Sequence, residues 1–293
     1  MIKEKIISLI DGFTIELNPK VRHKINSIPL EKKNNVYITY LPDASENDIL
    51  ETIEFVSKNN LTPITHLPAR TMKNLNHVRQ FLSQVRERTD SKKILVIGGG
   101  GNQLGQITSS LEILNSGLLE ENDFNEIGIA GHPEGSPDIS QETIDNFLND
   151  KFELTKTKGL NLELVTQFFF DAAPFINWCE ELTKKKITIP VRVGFPGPAS
   201  FKTLLNFGIM SGVGNSINFL KKNSSKVSDL LTKTSNDEML ISLAEFANKN
   251  SPLKSFHCFP FGGFEKTCLW LNELQNGEFS VENQQLKLHK KIF

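Results

Sequence analysis

The stretch "IISLIDGFTIELNPK", Ile6 to Lys20, decides between the two folds open to this chain. Its β-branched residues and the alternation in "FTIEL" read as a first strand over Ile6–Leu17. A dinucleotide-binding sheet would follow that strand with a glycine-rich turn, whereas Asn18-Pro19-Lys20 follows here. Seven more β-rich runs succeed it: "VYITYL" (Val36–Leu41), "LTPITHL" (Leu61–Leu67), "ILVIGG" (Ile94–Gly99), "IGIAG" (Ile127–Gly131), "LELVTQFFF" (Leu162–Phe170), "ITIPVRVGF" (Ile187–Phe195) and "SFHCFPF" (Ser255–Phe261).

Segments of helical length and spacing lie between them. "SENDILETIEFVSKN" opens on a Ser45 cap signal, "TMKNLNHVRQFLSQVRER" carries an apolar stripe, and "GQITSSLEILNSG" closes at Gly117. "SQETIDNFLNDKFELTKTKG", "APFINWCEELTKKK", "PASFKTLLNFGIM" and "NDEMLISLAEFANKN" continue the series, with "KKNSSKVSDLLTKTSNDE" as an expected surface excursion. Eight repeats without a break fill the chain, so the expected fold is a single-domain (β/α)8 TIM barrel over residues 1–293.

Composition narrows the function. Lys+Arg 33 against Asp+Glu 34 provides no global field for nucleic acid, and no run approaches a membrane span, so a cytoplasmic protein with neither partner is expected. Cys179, Cys258 and Cys268 lack zinc-ligand spacing and the six histidines are scattered, so no metal is expected.

In a barrel of this kind chemistry sits at the C-terminal ends of the strands. That rule selects Glu16, Thr39, Tyr40, His66, the Gly98–Gly101 run, "HPEG", Gln167, the "GFPGPASF" turn and "PFGGF". Glu16, at an apolar mouth, is a candidate general acid or a hydrated loop carboxylate. "VIGGGGNQLGQ" lets a planar or phosphorylated ligand approach the backbone, although a flexible turn reads the same way. "GIAGHPEGSPDIS" shapes a rigid loop around His132 and Glu134. Phe201 suits a core as well as a stacking surface. In "LVTQFFFD", alternation puts Gln167 on one face with Val165 and Phe169, leaving Phe168 and Phe170 on the other. A buried amide there needs partners from a structural network or a ligand.

Together these segments resemble the methylenetetrahydrofolate reductase family. "TQFFFD" is close to a hallmark of that family, and "GIAGHPEGSPDI" is similar to its "YPEGHP" loop. "FTIELNP", "YITYLP" and "THLPAR" resemble its "FEFFPP", "VTYG" and "HLT" segments, in order from about Glu16 to Phe264. The resemblance implies a flavin barrel in which FAD passes hydride between NAD(P)H and the one-carbon unit of folate. It implies Glu16 as the catalytic acid, Gln167, Thr39 and Phe201 as substrate contacts, and Tyr40, His66, Gly98, Gly99, Gly100, His132, Ser136 and Lys156 as flavin-site positions. A homo-oligomer is the expected assembly.

Three segments depart from the family pattern: Gly100 stands where an aspartate is usual, His132 and Ser136 replace a tyrosine and a histidine in the loop after strand five, and "FGGFEK" lacks an arginine after strand eight. "VRVGFPGPASFKTLLNFGIMSGVGNS" and "FPFGGFEKT" resemble a branch from bacteria that demethylate methoxylated or methylated compounds. That likeness implies a reaction running from methyltetrahydrofolate toward methylenetetrahydrofolate. A methyltetrahydrofolate-dependent methyltransferase and a non-catalytic folate or flavin binder are the competing readings.

Overall fold

Ile6, Leu9 and Ile10 recur at helical intervals, and in the computed structural model of the chain they are the buried face of a helix, α1 (Ile2–Ile10). The first strand starts only after the Asp11-Gly12 turn, where Gly12 takes φ +67°, and β1 is Thr14–Leu17. The strand expected from Ile6 is therefore corrected: only its last third alternates, and the isoleucines upstream obey the 3.6-residue period. The structure describes residues 2–28, 30, 34–41, 44–100, 103–136, 139–211, 237–247, 251–283 and 285–290. Nearly all of the expected surface excursion lies outside them.

After β1 a 3-10 helix (Pro19–Ser27) leads to β2 (Asn35–Ile38), α2 (Glu46–Lys58), β3 (Thr62–Pro68), α3 (Leu75–Arg86) and β4 (Lys93–Ile97). Two short helices, α4 (Ser110–Asn115) and α5 (Leu118–Glu121), precede β5 (Glu126–Gly131), α6 (Gln141–Lys158), β6 (Asn161–Phe168), α7 (Ala172–Lys184) and β7 (Val191–Pro196). The chain continues through α8 (Phe201–Ser211), α9 (Asp237–Phe246), β8 (Leu253–Phe259) and α10 (Phe264–Gln275) to a hairpin, β9 (Phe279–Glu282) and β10 (Gln285–Leu288). Strands β1 to β8 close in sequence order with parallel neighbours, and Thr14 and Ile15 pair with His257 and Cys258 to seal the barrel. The (β/α)8 expectation holds.

Several boundaries moved for identifiable reasons. Ser45 accepts from the Asp48 amide and starts α2 where expected, but Asn74 rather than Thr71 caps α3 by accepting from His77 N. Gly117, at φ +80°, closes the helix after β4 as expected, and a further short helix, α5, follows it. β7 begins at Val191 rather than Ile187, just after Pro190, which has no amide hydrogen to give a ladder.

Two apolar layers result. Ile15, Leu17, Val36, Ile38, Leu164 and Val193 face the helices, whereas Tyr37, Ile64, Leu95 and Val165 fill the lumen. Below them the N-terminal end of the lumen is ionic: Arg192 Nε donates to Glu163 Oε2 at 2.7 Å, Arg192 Nη1 to Gly12 O at 2.7 Å, and Lys254 Nζ lies 2.9 Å from Glu163 Oε1. Burial pushes the Glu163 carboxyl up, but Arg192 and Lys254 outweigh it and hold the group below its usual range. A cavity lined by Tyr37, Glu163, Arg192 and Lys254 opens at this end, but in barrels of this kind the chemistry sits at the opposite, C-terminal mouth.

Candidate active site at the C-terminal mouth of the barrel

Glu16 is the third residue of a four-residue strand, and its neighbours Ile15 and Leu17 bury their side chains against the helices, so alternation turns its carboxyl inward. Its Oε1 lies 3.5 Å from His66 Nε2 on β3 and 3.4 Å from His257 Nε2 on β8. Glu16 keeps 16% of its side chain exposed, His66 10% and His257 1%, so the carboxyl group is the part of this cluster that looks out of the mouth. The surroundings differ from the apolar ones expected: two imidazoles flank the acid. Burial pushes His66 down to about 4, against the pull of Glu16. It is neutral at physiological pH, and its Nε2 is buried without a hydrogen-bond partner among the described residues. Tyr37, edge-on to both rings at 6.3 and 4.6 Å, floors the cluster.

Beside it, Thr39 and Tyr40 follow β2. The Thr39 amide and hydroxyl both donate to Leu17 O, at 3.1 and 3.4 Å, which ties this corner to the end of β1. Tyr40 is buried against Phe81, and its hydroxyl donates to Glu46 Oε2 at 3.5 Å, where His77 Nε2 also binds at 2.8 Å. Burial, reinforced by Glu46, pushes the Tyr40 phenol up to about 12, so it serves only as a neutral donor.

The glycines after β4 form a cradle of unequal parts. Gly98 O accepts from Arg70 N at 2.9 Å, and Gly99 takes φ +87° with the position of an added Cβ 2.9 Å from Pro68 Cβ, so a side chain is excluded there. Gly98 and Gly100 have open space where a Cβ would stand. Gly101 lies outside the described residues.

The β5–α6 side carries a feature that spacing did not reveal. His132 is pushed down to about 4 by burial and by the charge of Lys151. Lys151 itself is only 9% exposed, is pushed down to about 8 by burial alone, and has no carboxylate or carbonyl partner among the described residues. A buried ammonium without a counter-charge is a place prepared for an anion. Lys156, the flavin contact implied by resemblance, lies in the last turn of the 18-residue α6 and pairs with Glu153 at 2.7 Å. Ser136 forms an isolated backbone bridge with Ile139 that shapes the loop.

Gln167 is exposed rather than buried, and its Oε1 accepts the Phe168 amide at 3.1 Å, leaving its NH2 end toward the mouth. A bulge between Val165 and Phe168 in the β6–β7 pairing breaks the alternation assumed from sequence, so Val165 fills the lumen while Phe169 stacks on Phe175 in the helix layer. Phe168 and Phe170 do share a side. They meet Phe201, Phe207, Phe259 and Phe261 in one aromatic cluster, in which Phe207 and Phe261 stack at 4.1 Å. Phe201, half-buried there, is a wall component. Sequence reasoning passed over His257, Lys151 and Phe259, and singled out Phe261 only within "PFGGF"; the signal for His257 was a lone titratable residue inside the apolar run "SFHCFPF".

An acid flanked by imidazoles, a glycine cradle, a buried cation and an aromatic wall belong to a closed parallel barrel, which places the chain in the (β/α)8 class. A profile of the methylenetetrahydrofolate reductase family matches residues 21–215, about two thirds of the chain, and the chain belongs to that family. Membership makes it a folate-linked oxidoreductase. Among solved structures, N-acetylneuraminate lyase from Fusobacterium nucleatum is similar over 90% of this chain and 97% of its own, with 12% identity and a TM-score of 0.40. Glu16 and His257 lie outside the family match, so their roles rest on geometry. Among the described residues no group of three His, Cys, Asp or Glu side chains is arranged to hold a metal ion, and no helix is long and apolar enough to cross a membrane.

Proposed function

We propose that the chain is a flavin-dependent oxidoreductase that interconverts 5,10-methylenetetrahydrofolate and 5-methyltetrahydrofolate with NAD(P)H/NAD(P)+ and works toward methyltetrahydrofolate oxidation. The observation that carries this reading is Glu16, a carboxyl group held at the open mouth between two buried imidazoles. The residues present fit a flavin: the unpartnered Lys151 ammonium suits its diphosphate, and Gly98 to Gly100 admit a flat ring or its ribityl chain against backbone. FAD, when bound, supplies hydride exchange with both nicotinamide and the folate carbon.

The chain's own work is binding, orientation and one proton. In the reductive direction Glu16 donates a proton to the amine released as the five-membered ring of methylenetetrahydrofolate opens; in the oxidative direction its carboxylate takes that proton back. The Gln167 amide, anchored through Oε1, is placed to direct its NH2 at a ring carbonyl or nitrogen of whichever planar partner occupies the mouth. The phenylalanine wall excludes water and offers stacking faces to the pterin and its aromatic tail.

An absorption spectrum of freshly purified protein, followed by NAD(P)H oxidation with menadione and methyltetrahydrofolate oxidation with menadione, tests the proposal. Flavin bands and both activities are expected; a colourless protein that moves methyl groups without redox turnover would establish the methyltransferase instead. Glu16→Gln is expected to abolish folate turnover while NAD(P)H–menadione activity persists. Loss of both together would show that Glu16 is not the folate acid.

A further inference from the structure

We propose that His257, locked as its Nε2–H tautomer by Thr14, is the positioning residue for Glu16, donating to Oε1 and fixing the carboxyl at the mouth; the kinetic part rests on the role proposed for Glu16. Thr14 and His257 are register partners where β1 closes on β8, which brings Thr14 Oγ1 to 2.8 Å from His257 Nδ1. The Thr14 hydroxyl has one hydrogen and two acceptors in reach, Nδ1 at 2.8 Å and Phe256 O at 3.4 Å. Were Nδ1 to donate to Oγ1, with the hydroxyl turned to Phe256 O, a bare Nε2 would face the Glu16 carboxylate at 3.4 Å; the arrangement that avoids this has Nδ1 accept and the ring hydrogen on Nε2, facing Glu16. Ring and hydroxyl are buried, with His257 1% and Thr14 0% exposed, so water does not compete for either bond.

Ring orientation is fixed as firmly as the tautomer. Tyr37 meets the imidazole edge-on at 4.6 Å and Phe259 at 5.0 Å, leaving no room for a flip that would exchange the two nitrogens. The groups facing Glu16 are His257 from β8, His66 from β3 and Tyr37 from β2; beneath Tyr37 lie Glu163 from β6 and Arg192 from β7, already paired with each other. His66 has no partner of Thr14's kind, so its bare Nε2 can accept when Glu16 is protonated. A fixed donor on one side and a free acceptor on the other hold the carboxyl in both protonation states.

Two measurements test this. Long-range 15N–1H spectra of histidine-labelled protein near pH 7 are expected to show His257 neutral and protonated at Nε2, and Thr14→Val is expected to mix its tautomers. A His257 signal protonated at Nδ1, or doubly protonated, overturns the assignment whether or not the protein turns over folate. In kinetics, His257→Leu is expected to lower kcat for folate by about 10- to 100-fold, with KM for NAD(P)H unchanged. His257→Gln, whose amide nitrogen can reach the same oxygen, is expected to restore most of that loss. Equal impairment of both variants would make His257 merely structural. Absence of any folate activity in the parent protein would instead sink the proposed reaction, and leave the spectra to judge the tautomer.

Discussion

Lys151 and Gly100 carry opposite lessons about single residues. Lys151 buries an ammonium that burial pushes from 10.5 down to about 8, so the unliganded fold bears a cost that is full below pH 8 and fades as pH rises toward 10.5. Lys151→Met is therefore expected to stabilise the flavin-free protein by about 1–2 kcal/mol in urea titrations while weakening flavin retention; a variant that is both less stable and fully flavinylated would refute the anion-site reading. At Gly100 the backbone is ordinary and the Cβ position open, so Gly100→Asp is sterically free. A carboxylate added there is expected to lower the midpoint potential of bound flavin with Tm unchanged, because negative charge disfavours the anionic reduced form. An anaerobic titration with unaltered potential ends that idea. Glu16, His66 and His132 were legible in sequence because each is a polar residue ending an apolar strand. Lys151 was not: it shares the "NDKFELTKTK" stretch with Lys156 and Lys158, and only the helix phase shows which ammonium turns inward.

Elements were legible wherever one period ruled. α2, α7 and most strands follow their apolar spacing, but "IISLI" satisfies both periods for a few residues, and its helix is set by packing with α9 and α10 beneath the barrel. The β6 bulge was hidden because a bulge changes no residue type; it only changes which side chains face the mouth. Gly194 lets β7 run beside it: an added Cβ would stand 2.5 Å from Thr166 O and Gln167 O, and Gly194 N donates to Thr166 Oγ1 at 2.7 Å. Gly194→Ala is thus expected to wedge β6 from β7, costing about 1–3 kcal/mol by urea denaturation and raising KM for folate through a displaced Gln167. Unchanged stability would mean that the strands part there more easily than the contacts imply.

At the scale of the whole molecule, the closed barrel ties the mouth to global stability, since the histidines of the site stand on strands whose separation opens the lumen. His66 and His132 are both pushed from 6.5 down to about 4 by burial, so between those values the unfolded chain binds protons that the folded chain refuses. Stability must then fall as pH drops through this window and be flat with respect to these groups above it. Going from pH 7 to pH 5, the pair is expected to remove on the order of 2–4 kcal/mol, a large share of the stability typical of a domain. Glu163, held below the usual carboxylate range, titrates only at lower pH, so the upper part of the window reports mainly the histidines. Urea denaturation of the flavin-free protein at pH 7 and pH 5 measures the difference, and a His66→Gln, His132→Gln double variant should lose most of it. Equal pH sensitivity in parent and variant would place the acid-labile groups elsewhere and show that the mouth accepts protons without opening.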